Sequence, residues 1–323
     1  MDGKRIIAVV GATGAQGGGL ARAILDDPAS GFAVRALTRH PDSDKARALA
    51  GRGAEVAHAD LDDEESLVRA FEGAYGAFLV TNFWEHTSPE REAAQARNLA
   101  SAAARSGVRH AVWSTLEDTR ERVPLDDDRM PTLMGRYKVP HFDAKGASDA
   151  VFRELGVPTT FLRTSFYWDN LIGFGMGPRR GEDGVVTFAL PMGDKRLSGI
   201  AAEDIGRCAL GIFKAGPAMI GKTVGIAGDH LTGQEMAAAL GRALGEEVRY
   251  QDVPVEVYRS LGFPGADDLG NMFQYYQEFA DDFAASRPVD ASRALNPALQ
   301  SFDQWARENA GKLAIDPPPA GTS

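Results

Sequence analysis

Val10-Gly11-Ala12-Thr13-Gly14-Ala15-Gln16-Gly17 directly follows the apolar run RIIAVV at residues 5–10 and opens a helical pattern over 15–27. A G-x-x-G-x-x-G turn in that place reads as the phosphate-binding crossing of a βαβ unit. Glycines at 11 and 14 let the chain turn and bring backbone N–H groups close to a pyrophosphate, while Gly17 allows tight packing of helix on strand. With Thr13, Ala15 and Gln16 on the same turn, the stretch is expected to bind a dinucleotide.

Working outward, strand patterns at 32–38, 54–59, 76–81, 108–114 and 157–163 alternate with helical ones at 42–51, 63–72, 88–106 and 141–155. Asp62 and Ser88 stand where N-caps belong. The alternation predicts an α/β fold: a Rossmann doubly wound parallel sheet of six strands over residues 1–164. Leu116 to Pro140, with its acidic runs and prolines, reads as a long surface loop. Residues 165–315 predict a smaller mixed α/β C-terminal lobe packed on the sheet's carboxyl edge. Its strands are expected at 185–190 and 222–227, and its helices at 202–214, 232–244, 254–261 and 266–282. The proline-rich end, 316–323, reads as a disordered tail.

Ligands of open α/β sheets collect beyond the carboxyl ends of strands, so those ends name the remaining site. The second strand ends Thr38-Arg39 with no acid for a ribose hydroxyl. Arginine's planar fork suits a 2'-phosphate, and Thr38 adds a hydroxyl, so the expected cofactor is NADP(H). Asp60 and Leu61 should lie by the adenine, Thr81, Asn82 and Phe83 by the ribose and nicotinamide, and Ser114 beyond the fifth strand. Phe166 and Tyr167, with the aromatics of the late helix, either wall an apolar pocket over the nicotinamide or simply pack the lobes together.

The 45 acidic against 35 basic residues give a charge of −10, which disfavours a general nucleic-acid or anionic-membrane surface. Cys208 is the only cysteine, which excludes an intramolecular disulfide, and it reads as core. No apolar run reaches the length of a membrane helix, and the expected location is cytoplasmic. The six histidines lack metal-ligand spacing, so no metal is expected. Gly216 to Thr223 matches the P-loop pattern, but it leads from a helix into a strand, the reverse of what phosphate binding needs.

Beyond the glycine turn, Thr38-Arg39, Val80-Thr81-Asn82 with Trp84-Glu85, His141-Phe142-Asp143-Ala144-Lys145-Gly146, Asn170-Leu171, Leu190 to Asp194 and Leu261-Gly262-Phe263-Pro264-Gly265-Ala266 carry a likeness over residues 5 to about 310. On these the chain resembles the NmrA-like family of atypical short-chain dehydrogenase/reductases, and within it the HSCARG-type NADP(H) redox-sensor proteins. The resemblance implies an NADP(H)-binding Rossmann protein, in a family divided between sensors of the cofactor's redox state and reductases of small molecules. It also implies a site where typical short-chain dehydrogenases carry Tyr-x-x-x-Lys. Here the lysine is Lys145 and the tyrosine is replaced by His141.

Residues four apart share a helix face, so both can reach the cleft. Lys145 is the candidate for the ribose, and His141 either moves a proton or lines the pocket. Two readings stay open: an NADPH-dependent reductase of a small apolar electrophile of quinone, enone or imine type, or a non-catalytic sensor acting through a protein partner. Oligomeric state, a dimer included, is left open.

Overall fold

In the computed structural model, which describes residues 3–315, the chain opens as the alternation predicts. In order come β1 (Arg5–Val10), α1 (Ala15–Asp26), β2 (Phe32–Thr38), α2 (Asp44–Gly51), β3 (Glu55–His58), α3 (Glu64–Phe71), β4 (Gly76–Leu79), α4 (Pro89–Arg105), β5 (His110–Thr115), α5 (Pro140–Glu154) and β6 (Thr159–Arg163). There follow β7 (Phe166–Tyr167), α6 (Asn170–Gly173), β8 (Arg179–Arg180), β9 (Val186–Leu190), β10 (Arg196–Ile200), α7 (Ala202–Ala215), β11 (Thr223–Gly225), β12 (Asp229–Thr232), α8 (Gly233–Leu244) and β13 (Val248–Asp252). Helices α9 (Val255–Arg259), α10 (Ala266–Glu278), α11 (Ala280–Ala285), α12 (Val289–Leu295) and α13 (Phe302–Asn309) end the fold. The expected tail at 316–323 lies outside the described residues.

The main sheet has seven parallel strands in the order β3-β2-β1-β4-β5-β6-β11. The order reverses between β1 and β4, and that switch point is where a doubly wound sheet opens a crevice for a ligand. Two expectations are corrected here. The strand expected at 222–227 in the smaller lobe instead adds β11 to the main sheet, pairing Val224 with Leu162. The helix expected beside it, α7, packs on α1, burying Ile205, Cys208, Ile212 and Phe213 with Leu20 and Ile24. Close approach is what the glycines serve: a Cβ on Gly206 would lie 2.0 Å from the backbone nitrogen of Leu20. Helix propensity alone argues against three successive glycines in α1, and packing overrides it.

The rest forms two small sheets, β12-β10-β7 and β13-β9-β8, around an aromatic core that includes Trp168, Phe188, Phe273, Tyr276 and Trp305. Smaller corrections concern local chemistry. Asp63 rather than Asp62 caps α3, accepting the Ser66 N–H, while Ser88 caps α4 as expected. The late helix breaks at Phe279 into α10 and α11.

The stretch 116–140 is not the solvated loop that its composition suggests, because Val123, Met130, Lys138 and Val139 are buried. Lys138 Nζ donates to the carbonyls of Asp127 (2.8 Å) and Met130 (2.7 Å), and Asn271 of α10 donates to those of Pro131 and Lys138. At the start of α5, Asp143 accepts from the main-chain N–H groups of Thr119, Lys138 and Val139 and from the Thr119 hydroxyl. Burial pushes its carboxyl up while these hydrogen bonds pull it down. The stretch is thereby clamped between α5 and α10, which orients the first turns of α5.

Candidate functional site

The glycine turn between β1 and α1 takes the tight geometry that its sequence implies. Gly11 takes φ +63°, in the left-handed region that favours glycine, and a Cβ on Gly17 would sit 2.5 Å from the carbonyl oxygens of both Val10 and Gly11. Helix α1 begins at Gly14 with no side-chain cap, and Gly11, Gly14 and Ala15 are exposed with Thr13 and Gln16 half-buried. Uncapped N–H groups at a helix start facing open space are suited to an anion such as a pyrophosphate. The residues present fit a dinucleotide.

The ends of the neighbouring strands lie along the same edge of the sheet as this turn. Arg39, exposed beyond β2, forms an ion pair with Glu85 from the short turn at Phe83–Glu85. Thr38 Oγ1 accepts the His40 N–H at 3.1 Å. Asp60 Oδ1 accepts from Asp62 N–H, and the Leu61 carbonyl accepts from Asn98 of α4. After β4, Thr81 and Phe83 are buried and Asn82 is exposed. Ser114 donates to Gln16 Oε1 (2.8 Å), whose Nε2 donates to the Tyr167 hydroxyl (2.5 Å), so one glutamine of α1 ties the ends of β5 and β7. Burial pushes the Tyr167 phenol up to about 12, so it stays protonated at neutral pH.

Phe166 packs in the smaller lobe's core, 6.1 Å from Phe273, and Phe273, Tyr275 and Tyr276 are buried there too. Tyr167 instead packs on the main sheet's core beside Gln16.

Lys145 and His141 both point inward from α5 but find different partners. Lys145 Nζ donates to Thr81 O (3.1 Å) and Oγ1 (2.6 Å) and pairs with Glu92 Oε1 (2.8 Å). Glu92, on α4, is fully buried, and Thr81 Oγ1 donates to it as well. Its second oxygen lies 3.4 Å from His86 Nε2. Because His86 Nδ1 accepts the Ser88 N–H, the ring hydrogen belongs on Nε2, facing that carboxylate. The buried cluster Lys145-Thr81-Glu92-His86 therefore links α5, the end of β4 and α4.

His141 is buried against Trp84 (ring centroids 4.9 Å apart) and Phe83 (5.9 Å). Its Nδ1 lies 2.6 Å from Asp268 Oδ1, in the first turn of α10. Trp84 in turn fits against Gly265, where a Cβ would meet its ring at 2.7 Å and φ is +85°. That contact gives the Leu261 to Ala266 segment a physical reason: only glycine lets α10 begin on top of the β4 turn.

Three residues were not anticipated from the sequence: Glu92, His86 and Asp268. Among the described residues, no group of three metal-ligating side chains occurs, and no helix is long and apolar enough to cross a membrane.

This architecture has known counterparts. The sequence profile described as the NmrA-like family matches residues 3–306. An NmrA-like family domain-containing oxidoreductase, FrzB of a Cladobotryum species, is 31% identical over 312 residues, covering 90% of this chain and 89% of its own. The (4-alkanoyl-5-oxo-2,5-dihydrofuran-3-yl)methyl phosphate reductase of Streptomyces griseus subsp. griseus is 29% identical over 321 residues, covering 96% and 99%. The crystal structure of NmrA, a negative transcriptional regulator, in complex with NADP superposes with a TM-score of 0.77 at 26% identity over 95% of each chain. With a profile match that spans both the Rossmann sheet and the smaller lobe, the chain belongs to the NmrA-like family.

Proposed function

We propose that the protein binds NADP(H) and reduces a small apolar electrophile of quinone, enone or imine type. The observation that carries this reading is the uncapped start of α1 above its glycine cradle, with Arg39 rather than an acid at the end of β2. Backbone N–H groups from Ala15 to Gly17 would hold the pyrophosphate over the turn closed by the Gly14 N–H on the Gly11 carbonyl, Thr38 and Arg39 the 2'-phosphate, and Asp60 and Leu61 the adenine side. Thr81, Asn82, Phe83 and Ser114 would flank the ribose and nicotinamide. Lys145 would reach a ribose hydroxyl by exchanging one of its three present partners. The cofactor supplies the hydride, and the chain's own residues bind, orient and move the proton. His141 is the candidate for that proton. The reductase and oxidoreductases among the relatives support the reaction class.

Arg39→Ala should weaken NADPH binding by about 1.5 to 3 kcal/mol, the range for hydrogen bonds to charged groups, and leave NADH nearly unchanged. Calorimetric titration with both cofactors tests it. Equal losses would remove Arg39 from the 2'-phosphate and leave it a surface arginine.

A specific observation keeps the sensor reading alongside. Arg39 pairs with Glu85 and Lys145 donates to Thr81, so a cofactor that takes over either side chain draws on the 81–86 segment, whose Trp84 touches α10. A ligand that binds two arrangements differently shifts their populations, and α10 would carry the change to a protein partner. Quinones, enones and imines that all fail to oxidise NADPH, together with slowed hydrogen exchange at Asn82 to His86 on adding NADPH, would select this reading.

A further inference from the structure

His141 is held from the opposite lobe. Asp268 spends both carboxylate oxygens on this one residue: Oδ1 lies 2.6 Å from the ring Nδ1, and Oδ2 accepts the His141 main-chain N–H at 3.3 Å. Both side chains are buried, 7% and 6% exposed, so water competes little for either. A carboxylate with both oxygens accepting leaves the imidazole Nδ1 as the donor. The ring is further fixed by Trp84 and Phe142, whose centroids lie 4.9 and 4.8 Å away.

We infer that Asp268 is a positioning residue, fixing His141 with its hydrogen on Nδ1 so that Nε2 is the nitrogen that exchanges a proton with the substrate. The inference rests on the proposed reductase reading for its chemical meaning. During reduction the substrate carbon gains the hydride and its electron pair from NADPH. Its oxygen or nitrogen takes a proton from Nε2 of the protonated ring, the Nδ1–H stays on Asp268, and Nε2 is reprotonated from water. A carboxylate that orients and holds a histidine in one tautomer is a general device of acid-base sites, and its value is that the reactive nitrogen is chosen before substrate arrives.

The geometry makes Asp268→Asn a sharp probe. The main-chain N–H can only donate, so the asparagine carbonyl must turn to it and place the amide NH2 against Nδ1. That nitrogen then has to accept, and the hydrogen of the neutral ring moves to Nε2. Nitrogen-15 imidazole spectra of uniformly labelled protein should therefore show Nδ1 of His141 protonated in the wild type at every pH where the fold persists. In Asp268→Asn, Nδ1 should lose its hydrogen when the ring is neutral, while NADPH affinity stays within about twofold.

A wild-type Nδ1 without its hydrogen, or an unchanged pattern in the variant, overturns the inference. If the asparagine variant fails to fold, the wild-type spectrum alone decides. The tautomer is read without any substrate, so its failure is distinct from failure of the reductase reading, which only turnover can reveal.

Discussion

Glu92→Ala is expected to destabilise the protein by about 3 to 5 kcal/mol, the usual cost of removing one partner from a buried ion pair. Glu92 is fully buried and Lys145 is 11% exposed, with 2.8 Å between the charged atoms. Deleting the carboxylate strands an ammonium among Thr81, Trp113 and the sheet, where only the Thr81 carbonyl and hydroxyl remain to hold it. It also removes the acceptor that the Thr81 hydroxyl and the His86 ring face. Glu92→Gln should recover part of the loss, because an amide oxygen still accepts from Lys145 but carries no charge. Urea denaturation with an unchanged m-value measures both. Should Glu92→Ala unfold at the wild-type midpoint, Lys145 is not paired with Glu92 in solution, and Thr81 alone holds it back from a ribose.

That carboxylate was legible in principle. Glu92, Ala96, Leu99 and Ala103 recur at helical spacing, so an acid sits on the apolar stripe of α4, which needs a buried partner. The glycine turn and β1 to β6 were readable for the same kind of reason, since apolar runs bounded by turn residues repeat at the βαβ period. β11 was readable as a strand but not as a member of the main sheet: three residues, Thr223 to Gly225, carry no pattern that names their neighbour. The 116–140 stretch hides its buried residues because Val123, Met130 and Val139 follow no period and are held by individual hydrogen bonds. Asp268 is the furthest from view. It stands 127 positions from His141, and an acid in a helix's first turn has an ordinary explanation in the helix dipole. Local chemistry thus reaches the cofactor half of the site, and only the fold brings in the lobe that holds the candidate proton donor.

The role of that donor is tested most directly by His141→Phe, which is expected to lower turnover by about 10²- to 10⁴-fold, the usual contribution of general acid-base catalysis. Phenylalanine keeps an aromatic ring between Trp84 and Phe142 but leaves the buried Asp268 Oδ1 without its partner, so turnover is compared at a temperature where both proteins are fully folded. NADPH affinity should stay nearly constant, because the residues proposed for the phosphates and ribose are other ones. Lys145→Met should behave otherwise, impairing binding and turnover together, since the side chain proposed for the ribose is also the one that makes the buried pair with Glu92. A substrate must first be found by following NADPH oxidation with small quinones, enones and imines. If a good substrate is then reduced by His141→Phe at the wild-type rate, the histidine is a wall of the pocket. The proton would then come from water or from Lys145, whose ammonium is the next ionised donor on the same face of α5.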